Sequence, residues 1–116
     1  MAFGIPAKFV TEVAIPSPYI VQIIGDALDA AGFAGIYQVS ETRFQARASM
    51  SLLSYGERII VDFDPHQGVA RLQSRCFWGV FDWGKNKQNI MNLKRRINRI
   101  LNAQNPQMHQ PRQVMQ

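Results

Sequence analysis

Residues 79 to 86 read GVFDWGKN, one letter short of G-x-x-x-x-G-K-[ST], a loop whose backbone amides wrap a phosphate. Gly79, Gly84 and Lys85 stand at the required spacing, and Asn86 replaces the hydroxyl that would hold magnesium. Asp82 opposes that chemistry, because it sets a carboxylate where a polyphosphate would lie. Phe81 and Trp83 also fill the loop with rings. The global objection is heavier. A nucleotide-binding loop of this kind sits in a parallel sheet built from βαβ units, whereas the turn at PHQG makes the strands before it an antiparallel hairpin. The same letters read better as a helix entry. Asp82 suits the N-cap and the helix's positive end, while Phe77, Trp78, Phe81 and Trp83 seal the entry against a core. What remains for function is a corner of Trp78, Trp83, Lys85 and Lys87 that a partner can bind.

Other reactive groups are scattered. Cys76 falls on the core side of a strand and behaves there as a small hydrophobe. As a nucleophile it needs a histidine base, but His66 lies in a distant turn and His109 in the tail. One cysteine and two histidines at such spacing make no metal site. Asp62 and Asp64 share one side of a strand, where Asp64 suits turn capping and a loose cation or acid pair is the alternative. No catalytic residue, metal ligand or cofactor is assigned, and the chain reads as a non-enzyme.

The arginines form the clearest pattern. In RFQARAS, Arg43, Gln45 and Arg47 share a face opposite Phe44, Ala46 and Ala48; in VARLQSR, Arg71, Gln73 and Arg75 share a face opposite Ala70, Leu72 and Ser74. If the apolar sets pack under helices, four arginines point outward. The ordinary reading is a solvated face paired with Glu12, Glu41, Glu57 or Asp62. The functional one is a platform for polyanions, because guanidinium forks match phosphate geometry. Single-strand platforms usually add exposed aromatics, and none of Tyr37, Tyr55 or Phe77 clearly shares the arginine face. Lys94, Arg95, Arg96 and Arg99 add a basic helix face near the C-terminal end.

Bulk properties frame these groups. A chain of 116 residues, 47% apolar and 18% charged, suits one globular domain. Residues 1–82 hold eight acids and six bases, while residues 83–116 hold seven bases and no acid. No apolar run approaches the ~18 residues that span a bilayer, and MAFGIPAKFVTEV lacks a secretory pattern. With one cysteine, a reducing compartment, most simply the cytoplasm, is expected.

The positioning elements follow from periodicity. AKFVTEVAI alternates as a first strand with Phe9, Thr11, Val13 and Ile15 on one side. PSPYIVQIIGDALDAAG switches to helical spacing, with Ser17 as cap and Gly32 as stop. IYQVS and RFQARAS are two strands around SET or one long bent strand. SLLSYGE is a connection, and RIIVDFD and GVARLQSRCF form a hairpin around PHQ. A last helix runs from about Asn86 to Ala103 on an apolar stripe of Ile90, Leu93, Ile97, Ile100 and Leu101. The predicted architecture is α+β: an antiparallel sheet of four to five strands with two helices on one face, in the order β-α-β-β-(β)-β-α. Residues 1–103 form the single domain, and 104–116 a flexible tail.

DWGKNKQNI, residues 82 to 90, resembles a stretch in a family of small uncharacterised bacterial proteins where Asp-Trp-Gly-Lys-Asn-Lys opens the final helix. The resemblance covers about nine residues. It implies a bacterial origin and a fold without an assigned activity, and it supplies no catalytic residue. Residues and resemblance together point to a small non-enzymatic binding or interaction domain. Its partner is another protein or a second copy, joined through a sheet edge or the aromatic corner. The alternative is nucleic-acid or other polyanion binding through the arginine face and the basic helix.

Overall fold

In a computed structural model, residues 8–48, 57–76 and 84–104 are described. They form β1 (Lys8–Ala14), α1 (Ile20–Ala30), β2 (Ala34–Ser40), β3 (Arg43–Arg47), β4 (Glu57–Asp64), β5 (Val69–Cys76) and α2 (Lys85–Gln104). The α+β architecture and the element order are as expected. The five strands make one sheet in the order β1-β5-β4-β3-β2, with every neighbouring pair antiparallel. IYQVS and RFQARAS are therefore separate strands, and the last helix extends one residue past the expected end. The aromatic residues at 77–83, Tyr55 and the tail from residue 105 lie outside the described residues.

Local chemistry sets the boundaries. Ser17 Oγ accepts from the Tyr19 N–H at 3.1 Å, so it closes the turn just before α1. At the other end Gly32 donates to Asp29 O and Phe33 to Leu28 O, a nested pair of bonds that satisfies two of the terminal carbonyls. Between β4 and β5, Asp64 Oδ1 accepts from the amides of His66 and Gln67 at 2.9 and 3.2 Å. Asp64 is thus the turn cap that its position suggested.

Both helices lie on one face of the sheet and touch each other. α1 covers β2 and β3, and α2 covers β1 and β5. The alternating strands supply the floor of the core with Val13, Phe44, Ala46, Ile59, Val61, Phe63, Ala70 and Leu72. Ile23, Ile24 and Leu28 of α1 and Ile90, Leu93 and Ile97 of α2 fill it from above with no exposed surface. Each such side chain contributes about 1.5–3 kcal/mol by leaving water. The amphipathic stripe of α2 is therefore spent in the core and is not offered to a bilayer. Among the described residues no helix is long and apolar enough to cross a membrane.

Candidate functional site

With the helices on one face, the period-two alternation leaves the other face open. All six bases of residues 1–82, namely Lys8, Arg43, Arg47, Arg58, Arg71 and Arg75, fall on it by register. They do not fall evenly. One cross-strand row reads Arg43–Asp62–Arg71–Glu12 and alternates in sign. The next apolar and amide row is Gln45–Ile60–Gln73–Val10, in which Ile60 is only 7% exposed between its two glutamine neighbours. The third row is Arg47–Arg58–Arg75–Lys8: four cations side by side with no acid, all exposed.

The alternating row contains a close ion pair. Arg43 donates to Asp62 through Nε at 2.6 Å and Nη2 at 3.2 Å, a two-pronged fit of guanidinium to carboxylate. The hydrogen bond to Asp62, and then its charge, raise the Arg43 pKa above the ordinary value, with desolvation opposing. The shift keeps an already charged group charged, so it adds no pH dependence near neutrality. Of the four acids considered as partners for the arginines, Asp62 makes this pair, whereas Glu57 faces the helices and is only 2% exposed.

The strand ends set where the cationic row lies. Lys8 begins β1, Arg47 ends β3, Arg58 is the second residue of β4, and Arg75 the penultimate residue of β5. The start of α2 is docked over the same end of the sheet. Ser74 Oγ donates to Asn86 Oδ1 at 2.7 Å, and Asn89 Nδ2 donates to Glu57 Oε1 at 3.1 Å and Ser74 Oγ at 3.2 Å. Lys85 and Lys87 therefore join the four cations at that end. Further along, Asn92 Nδ2 donates to Ala31 O at 3.2 Å and ties α2 to the end of α1.

This arrangement answers several expectations. Asn86, the residue in the hydroxyl position of the phosphate loop, is fully buried and bonded to Ser74. Among the described residues the sheet is antiparallel throughout, which is not the parallel setting such a loop requires. Asp62 is engaged by Arg43 and Asp64 by its turn, and His66 is exposed. Among the described residues no group of three or more His, Cys, Asp or Glu could hold a metal. Trp78 and Trp83 of the expected corner lie outside the described residues.

The two basic sets proposed to act together are separated. Arg47, Arg71 and Arg75 stand exposed on the open face, whereas Lys94, Arg95, Arg96 and Arg99 belong to α2 on the opposite side of the sheet. Arg95 and Arg96 lean on Asn92 Oδ1 at 3.3 and 3.4 Å. One flat ligand cannot lie on both.

Sequence reading missed three features. Arg58 hides in the near-continuous apolar run RIIVDFD. Tyr37 reaches the open face only because β2 is bulged, two residues (Gly35 and Ile36) opposing Ala46 between the pairs Ala34–Arg47 and Tyr37–Gln45. The polar tie of α2 was signalled by Asn86, Asn89 and Asn92 at three-residue spacing, since asparagine is a poor helix former that earns its place by bonding. No protein-family model matches the chain, and no curated protein sequence is detectably similar to it.

Proposed function

We propose that this chain is a non-enzymatic binding domain whose ligand is a polyanion, in the first instance a nucleic acid, held at the cationic end of the open sheet face. The supporting observation is the row Arg47–Arg58–Arg75–Lys8. Like charges directly opposite each other on neighbouring strands destabilise a sheet. Four in succession concentrate positive charge where a bound chain of phosphates places negative charge, and departures of this kind concentrate at functional sites. The row spans three strand spacings of ~4.8 Å, so it is about 14 Å long. That length addresses several phosphates of one strand. Lys85 and Lys87 extend the positive potential around the sheet end, and the lone Cys76 fits a reducing cytoplasm.

Retention on heparin tests this reading. The protein should bind at low salt and elute as salt rises, because each phosphate contact releases condensed counterions. Passage through heparin and through immobilised nucleic acid at low salt, by folded protein, contradicts it.

A further inference from the structure

Beside the cationic row, β2 carries a device that a simple charge patch does not require. Gly35 has φ +61° and begins the bulge. A bulge of this kind re-aims the side chains that follow it. Here it turns Ile36 towards the core and Tyr37 onto the open face. The Tyr37 hydroxyl donates to Gln45 Oε1 at 3.0 Å, which holds the ring across β3 while the residue stays 56% exposed. Gly35 also makes room for a cation. A Cβ at Gly35 would lie 3.2 Å from both Nε and Nη2 of Arg47, so the guanidinium rests over bare backbone. The result is a concavity of about 120 Å³ lined by Gly35, Tyr37, Gln45, Ala46, Arg47 and Arg58.

We infer that the polyanion is single-stranded nucleic acid, with one unstacked base on the Tyr37 ring and the adjoining phosphate at Arg47 and Arg58. This rests on the polyanion reading and narrows it. A pre-tethered ring on an open sheet face next to guanidinium groups suits base stacking combined with phosphate contact. A duplex keeps its bases inside the stack and offers this ring nothing. A polyanion without bases uses the arginines but leaves Tyr37 idle. The amide of Gln45 lies against the stacking position and can meet the edge of a base.

The test is fluorescence anisotropy of the full chain with three labelled probes at low salt. These are a short single strand, the same strand annealed to its complement, and an abasic strand of equal length. The single strand should bind tightest. Tyr37→Ala should weaken it roughly 5- to 150-fold, the range of base–aromatic stacking, and leave the abasic strand unaffected. Tyr37→Phe should keep most of the affinity, because the ring remains. Arg47→Ala should weaken all three probes. Equal binding of the three, or an indifferent Tyr37→Ala, overturns base stacking while the polyanion reading stands. Binding to none of them, or only to phosphatidylserine vesicles, removes the nucleic-acid reading itself.

Discussion

Asn86 and Asp62 show how residues of similar polarity do opposite jobs here. Asn86 is fully buried and accepts the Ser74 hydroxyl at 2.7 Å, so truncation leaves a buried donor short of its acceptor. Asn86→Ala is expected to cost about 1–3 kcal/mol, read as a lower midpoint in urea unfolding at unchanged slope. In a double-mutant cycle with Ser74→Ala the costs should add to less than their sum, since both remove one bond. Full additivity would show that the bond carries no stability. Asp62 instead neutralises Arg43 on the open face. Asp62→Asn should tighten nucleic-acid binding several-fold at low salt, an effect that fades as screening shortens to ~8 Å near physiological salt. Weaker binding by that variant would mean that the alternating row helps to hold the ligand.

At the scale of elements, turns and bulges decide which side chains share a face. Gly68 closes the β4–β5 turn at φ +67°, and a Cβ there would meet Pro16 Cα at 3.2 Å and Ile15 O at 3.3 Å. Its own carbonyl accepts from Ile15 N–H at 2.7 Å, which joins the end of β1 to that turn. Gly68→Ala should cost at least the ~1–2 kcal/mol of a left-handed non-glycine residue, seen as a lower Tm, and an unchanged Tm would contradict this. Strands β3 and β5 were legible because their polar and apolar residues alternate strictly, so Arg43, Arg47, Arg71 and Arg75 could be grouped by parity. β4 was less legible. Ile59, Ile60 and Val61 are all buried, which conceals the outward parity of Arg58. β2 was illegible in this respect, because one extra residue at Gly35–Ile36 reverses the parity that places Tyr37.

For the whole molecule, the fold class followed from the order of periodicities, but the placement of charge did not. Composition locates most bases near the C-terminal end of the chain. The fold sorts them by layer instead, with the arginines of β3, β4 and β5 beneath the sheet and those of α2 above it. Periodicity cannot bring that separation out, since it says which residues share an element's face and not which elements share a side. The proposed binding surface is therefore the cationic row, distinct from the basic helix. The most direct measurement is the salt dependence of single-strand affinity for the parent chain and two triple variants. Lys8→Ala/Arg47→Ala/Arg75→Ala should bind more weakly and lower the slope of log K against log salt by about 2, at ~0.7 for each lost phosphate contact. Lys94→Ala/Arg95→Ala/Arg99→Ala should keep the parent slope. A helix variant that loses the slope while the row variant keeps it would contradict the account.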